Sequence, residues 1–188
     1  MGWVTALPIL VVVSGPLGAG KTTLAHKLAR AIGCPAICRD EIKEGMAHVT
    51  PHFVPSQGDQ LTARTLPVFF SVLELLLRAG VTTVAEAAFQ DHVWRPRLEP
   101  LRDLADLRIV HCVAAADVAF RRVLQRGADN PVRRVHADPG EDHDLADFAR
   151  ERDAFSRIAL DVPSIEVDTT DCYQPGLAEI VQFVTRQS

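Results

Sequence analysis

Apolar and polar positions along this chain follow two periods, and the switches between them mark its elements. Residues 9–14, Ile-Leu-Val-Val-Val-Ser, form an unbroken run rich in β-branched side chains, as a strand buried on both faces requires. Residues 23–32 follow a helical period, with Leu24, Leu28, Ala31 and Ile32 on one stripe. Gly33 and Pro35 end that helix, and Ala36, Ile37 and Cys38 make a short second strand. That strand ends in Arg39-Asp40-Glu41, and a helical start follows through Ile42, Lys43 and Met46. Residues 49–60 hold Pro51, Pro55 and Gly58 and read as a loop. Residues 61–78 are a long helix whose Leu66, Phe69, Phe70, Leu73, Leu76 and Leu77 form a broad apolar stripe, ended by Gly80.

The alternation continues to the C-terminus. Residues 81–85 are a third strand with Glu86 at its end, and residues 91–104 a helix that Pro96 and Pro100 divide into two pieces. Residues 107–113 form a fourth strand and 117–126 an amphipathic helix. A helix over 145–160, a fifth strand over 164–167 and a closing helix over 174–187 complete the pattern. Strands that alternate with helices predict an α/β fold, with right-handed crossovers building a parallel sheet covered on both faces.

Length and charge narrow the class. A chain of 188 residues suits one domain over residues 1–188, and 47% apolar with 23% charged residues describes a packed globule rather than a disordered chain. A net charge of −4 supplies no general attraction for a duplex, so nucleic acid is not the favoured partner. No apolar stretch is expected to span a membrane. The apolar run at 7–13 has no preceding Lys or Arg, and its removal would destroy the glycine loop, which argues against a signal peptide. Ala6 stands where myristoylation needs Ser or Thr. Cys34, Cys38, Cys112 and Cys172 lack the paired spacing of a zinc site, and are expected to be structural thiols in a reducing cytoplasm.

The candidate chemistry begins directly after the first strand. Gly15-Pro16-Leu17-Gly18-Ala19-Gly20-Lys21-Thr22 fits G-x-x-x-x-G-K-[ST], and the strand before it and the helix after it supply the context that pattern needs. Its glycines let the backbone turn N–H groups inward on phosphate oxygens, and the helix start adds a positive dipole end. Lys21 can bridge the outer phosphates of a nucleotide, and Thr22 can ligate Mg²⁺, with Thr23 completing the cradle. Asp40 falls at the crevice end of the second strand, as a helix cap or as a catalytic carboxylate. Glu86 ends the third strand, where an acid holds Mg²⁺ through water or meets the substrate.

Further polar groups are candidates for the same crevice. Arg64 stands near a helix start as a substrate contact. Arg121, Arg122, Arg126, Arg133 and Arg134 fall within fourteen residues and form either a solvated face or a lid over the phosphoryl group, roughly over 126–144. His136, Asp138, Glu141, Asp142, His143 and Asp144 read as a solvated connection rather than a metal site. His48 and His52 are separated by Pro51, which breaks the helix a metal pair would need. The loop at 168–171, with Thr169 and Thr170, is expected beside the nucleotide base.

Taken together, residues 15–22, Arg39-Asp40-Glu41-Ile42-Lys43 after the second strand, the acid ending the third, the arginine-rich segment and Val167-Asp168-Thr169-Thr170 resemble the small P-loop kinases. The nearest likeness is to polynucleotide kinase, zeta-toxin-like and chloramphenicol-phosphotransferase-like enzymes, and it covers nearly the whole chain. The resemblance implies the P-loop NTPase fold, a strand order of 2-3-1-4-5 and ATP as cofactor with Mg²⁺. It also implies phosphoryl transfer to a hydroxyl, with Asp40 as general base and Arg126, Arg133 and Arg134 on the transferring group. Arg39, Lys43, Arg64 and Glu86 would face the acceptor. Lys43 stands where polynucleotide kinases carry a substrate-phosphate arginine, and lysine lacks the bidentate fork. The sequence therefore predicts a kinase for a small-molecule or nucleotide-like acceptor. A polynucleotide 5′-hydroxyl kinase is the second reading. A nucleotide-dependent switch is a third, which the lack of an N-K-x-D motif disfavours.

Overall fold

The four residues Leu10–Val13 have no exposed surface, because β1 (Ile9–Ser14) runs through the middle of the sheet and is covered on both sides. A computed structural model describes residues 6–56, 58–136, 138, 139 and 144–186. β1 pairs in parallel with β3 (Thr83–Glu86) on one side and with β4 (Asp106–Val113) on the other. β2 (Ala36–Cys38) joins β3, and β5 (Ser164–Asp168) joins β4, which gives the order β2-β3-β1-β4-β5. This all-parallel order is the one the family resemblance implied.

Parallel pairing brings every strand's carboxyl end to the same edge. Val13 is in register with Glu86, Glu86 with Cys38, and Val113 with Asp168. The glycine loop, Arg39-Asp40, Glu86 and Thr169 therefore gather along one crevice, where parallel sheets bind ligands.

The helices are α1 (Lys21–Ile32), α2 (Arg39–His48), α3 (Gln60–Arg78), α4 (Asp91–Leu98), α5 (Ala116–Asp129), α6 (Leu145–Asp153) and α7 (Leu177–Thr185). Short 3₁₀ turns span Glu99–Asp103 and Pro131–His136. Alternation along β1 sends Leu10 and Val12 to one face, against Phe69, Leu73 and Leu77 of α3 and Phe89, Trp94 and Leu98. Val11 and Val13 face the other way, against Leu24 and Leu28 of α1 and Ile180 and Val184 of α7. On the first face Phe69 meets Trp94 edge to face at 5.9 Å, and Trp94 packs on Phe89 at 4.7 Å.

Several expectations change: α2 already begins at Arg39, and β3 spans Thr83–Glu86 rather than 81–85. The helix expected over 145–160 stops at Asp153. Beyond it the backbone bonds to the start of α4, with Asp91 N–H donating to Ser156 O and Ala159 N–H to Asp91 Oδ1, so a helical ladder cannot continue. The last helix begins at Leu177, because Gln174 pairs with Asp168 and the Glu179 carboxylate caps the Gly176 N–H; its expected end at Gln187 lies outside the described residues. α5 runs through Gly127 to Asp129. By length and composition α3 is apolar enough to cross a membrane, contrary to the expectation from sequence, and its Phe69, Phe70, Leu73 and Leu77 are packed in the core beside the sheet.

α2 and α3 are joined by a buried ion pair. Lys43, 2% exposed, places Nζ 2.8 Å from Asp59 Oδ2, while Asp59 Oδ1 caps α3 through the Thr62 N–H at 2.8 Å. Burial alone would raise the Asp59 carboxyl, but Lys43 and the Thr62 amide hold it down to about 2. A depressed carboxyl pKa contributes stability that is complete above the ordinary value of 3.8 and lost as pH falls toward about 2. Lys43→Ala should cost about 3–5 kcal/mol in urea denaturation, since it strands a buried carboxylate. The pair Lys43→Met with Asp59→Leu should recover most of that loss and remove this acid-sensitive part.

Candidate active site

Two glycines let the loop after β1 lie against the protein's own backbone. A Cβ at Gly15 would stand 2.3 Å from Cys112 O, and one at Gly18, where φ is +76°, 2.5 Å from Ala119 O. Hydrogen bonds then tie down the loop's carbonyls and that of Ala114 after β4. Thr169 Oγ1 donates to Ala19 O at 3.0 Å, Lys21 Nζ to Pro16 O at 2.9 Å, and Arg152 to Leu17 O and Ala114 O. Arg122 fixes the far side through Thr169 Oγ1 and the Thr169 and Thr170 carbonyls. Gly20, the N-cap of α1, supplies no side-chain acceptor for the first-turn amides. Such a helix start, opening on a braced loop, is built for an anion.

Two acids stand at the loop's mouth. Thr22 Oγ1 donates to Glu86 Oε2 at 3.2 Å, and Glu86 is 3% exposed. Burial pushes its carboxyl up against the pull of Lys21, and Asp40 adds to the rise. Burial likewise pushes the Lys21 amine down, opposed by Glu86 and Asp40. A hydroxyl and a carboxylate converging beside a phosphate cradle are hard oxygen donors, the set Mg²⁺ prefers.

Asp40 makes no cap bond, since no side chain caps α2. Its carboxylate meets three nitrogen groups instead: Arg39 at 3.1 Å, Arg133 at 3.3 Å and His136 Nδ1 at 4.0 Å. Burial would raise this carboxyl, but His136, Arg133, Arg39 and Lys21 together hold it below its ordinary value. Arg133 also reaches Glu44 at 3.3 Å and Asp138 at 2.9 Å, and His136 Nε2 lies 3.0 Å from Glu44. Burial pulls the Arg133 guanidinium down, yet Asp138 and Asp40 leave it above its usual value. Arg126 Nε is buried with no hydrogen-bond partner, and burial and Arg133 lower its pKa.

Two cavities include residues of the loop in their walls. One, about 370 Å³, is lined by Gly18, Gly20, Thr23, Arg126, Thr169 and Tyr173. The unpartnered Arg126 nitrogen belongs to a residue of its wall, which suits an anionic nucleotide. The other, about 420 Å³, is lined by Leu17, Lys21, Arg39, Asp40, Glu86 and Trp94 among others. Lys21, Asp40 and Glu86 thus share one concave space.

Not every expected residue joins it. Lys43 is spent on Asp59, a correction to its expected acceptor role: with Ile42 and Met46 on the same helix stripe, its stem follows the inner face of α2. Arg64 and Arg134 are exposed, and neither lines the two cavities. Arg121 pairs with Asp117 on the surface, Arg122 braces the loop, and Thr170 Oγ1 accepts the Ala115 N–H. Ala137 and residues 140–143 of the expected lid lie outside the described residues. Arg152, Glu44 and the site role of His136 were missed from sequence. The i,i+4 spacing of Asp40 and Glu44 signals that both acids share a face; nothing local marks Arg152.

The fold and crevice define a nucleotide-binding P-loop domain of the kinase type. A family model described as AAA domain matches residues 10–158, and the chain belongs to that family. A candidate kinase from Chloroflexus aurantiacus J-10-fl is similar over 95% of this chain and 97% of its own, at 26% identity and a TM-score of 0.82. A gluconokinase from Sinorhizobium meliloti 1021 shares the fold at 21% identity and a TM-score of 0.57, covering 95% of this chain and 90% of its own. Shikimate kinase from Acinetobacter baumannii does so at 19% and 0.55, covering 96% and 94%. No curated protein gives a significant match.

Removing the loop's braces should weaken nucleotide binding more than it weakens the fold. Arg122→Ala loses three hydrogen bonds from a charged donor, each worth about 1.5–3 kcal/mol at most, and should raise the Kd for ATP at least tenfold in calorimetry. Lys21→Ala should lose binding further while still unfolding in one cooperative step.

Proposed function

We propose that the protein is an ATP- and Mg²⁺-dependent kinase that transfers the γ-phosphoryl group to a hydroxyl of a small polar acceptor. One observation carries the reading: Lys21, Glu86 and Asp40 line a single cavity of about 420 Å³, separate from the cavity at Gly18, Gly20 and Thr23. That volume suits a metabolite-sized acceptor. The kinase neighbours support the same class of reaction.

The loop amides and Lys21 would hold the phosphates, and Thr22 and Glu86 would hold Mg²⁺, which supplies charge neutralisation across the phosphates when bound. Asp40, kept ionised by its cationic neighbours, orients the acceptor hydroxyl and takes its proton. Arg126 and Arg133 stabilise charge on the transferring group, as the closing segment of a lid. Arg39 positions the acceptor's polar groups. Burial of the Lys43 side chain and the outward placement of Arg64 leave Arg39 alone of the three expected acceptor cations in this cavity, which favours a small acceptor over a polynucleotide. The reducing cytoplasm, where ATP is abundant, is the compartment this reading implies.

Screening γ-labelled ATP against hydroxyl-bearing metabolites, nucleosides and oligonucleotides tests the proposal: a labelled phosphate ester of a small compound is expected, and label in oligonucleotides alone would favour the polynucleotide reading. Asp40→Asn should keep ATP affinity and lower the transfer rate roughly 10²–10⁴-fold. Arg133→Ala removes a cation that depresses the Asp40 pKa, so the acidic limb of kcat/KM against pH should move to higher pH. It should also lower kcat more than it raises the KM for ATP.

A further inference from the structure

At the carboxyl end of β2, three different metal-binding side chains converge. His26 projects from α1, Cys38 ends β2, and Glu41 lies in the first turn of α2. His26 Nε2 is 2.6 Å from Glu41 Oε1 and 3.7 Å from Cys38 Sγ, and one ligand atom from each lies within 4.8 Å of the others. We propose that His26, Cys38 and Glu41 form a binding site for a thiophilic divalent metal ion of the Zn²⁺ class, distinct from the Mg²⁺ position at Thr22 and Glu86.

The geometry suits that ion. Tetrahedral Zn²⁺, at about 2.0–2.2 Å from nitrogen and oxygen and about 2.3 Å from sulfur, places neighbouring ligand atoms roughly 3.3–3.6 Å apart. The imidazole–sulfur distance already agrees, and the imidazole–carboxylate pair needs to open by less than about 1 Å. One thiolate, one imidazole and one carboxylate select Zn²⁺ over Mg²⁺, which takes only oxygen. Cys38 is buried while His26 and Glu41 are about half exposed, so an ion can enter from solvent and water can fill the fourth position.

Binding exchanges a proton for the metal: the Cys38 S–H bond breaks, a sulfur–metal bond forms, and one proton passes to the buffer. Cys38 and Glu41 flank Arg39 and Asp40 in the chain. The ion therefore braces the junction of α1, β2 and α2 directly under the crevice, and raises thermal stability without nucleotide.

The test is a Co²⁺ titration of the reduced, metal-free protein, without ATP, read by its thiolate-to-cobalt charge-transfer absorption. The expected result is one equivalent bound with that band, displaced by Zn²⁺ and unchanged in a Cys34→Ser/Cys172→Ser variant. Cys38→Ala should abolish the band. His26→Ala, at a half-exposed position, should bind at least tenfold more weakly while melting with the metal-free wild type. A wild-type protein without the band, or a band that survives Cys38→Ala or His26→Ala intact, would overturn the site. Because no nucleotide is present, either result is independent of the kinase reading.

Discussion

A side chain at position 15 would collide with the carbonyl of Cys112, and one at position 18 with that of Ala119. This backbone-on-backbone contact, open only to glycine, seats the phosphate loop on β4 and α5, and the rest of the crevice depends on that seating. Hydrogen bonds from Thr169, Arg122 and Arg152 then hold the loop's carbonyls and the adjoining segments from β5, α5 and α6. A loop fixed at so many points needs little reorganisation when an anion arrives, which is the condition for electrostatic stabilisation. The parallel register does the remainder, by setting Glu86 and Cys38 level with Val13.

Charge is divided unevenly across the crevice. Asp40, Glu44 and Asp138 face Arg39, Arg133 and His136 in a network of buried or half-buried pairs, with Lys21 and Glu86 beside it in the same cavity. Glu86 and Asp40 respond in opposite directions: burial drives Glu86 up, while the cations around Asp40 hold it down. Two carboxylates in one cavity with proton affinities moved apart suit the proposed division into a metal-side acid and an acceptor-side base. Arg126, which has a buried nitrogen without a hydrogen-bond partner among the described residues, lines the cavity beside the loop.

Most of the frame was legible in the chain. β1 was readable because a strand covered on both faces must be continuously apolar, and the glycine loop because its chemistry fixes residue types at fixed spacing. The helix at 145–153 was overextended because residues 154–160 keep an apolar pattern, with Ile158 reaching the core from irregular backbone. Lys43 was misplaced because a buried lysine is recognisable only through its partner, and Asp59 lies 16 residues away. Arg122 was grouped with its neighbours as a lid residue, although helical phase turns it toward Thr169, 47 residues on. The His26–Cys38–Glu41 group was hidden for the same reason: spacing within the sequence carries no signal when three elements supply one ligand each.

The central claim is that the two cavities deliver a nucleotide's terminal phosphate and an acceptor hydroxyl to the same point beside Asp40. Phosphorus NMR of ATP turnover, in the presence of an acceptor mixture and Mg²⁺, reads the fate of the γ-phosphate directly. The account predicts a phosphate monoester resonance that grows as ATP falls, with little inorganic phosphate. Conversion of ATP to inorganic phosphate alone, at a rate indifferent to every acceptor, would contradict it.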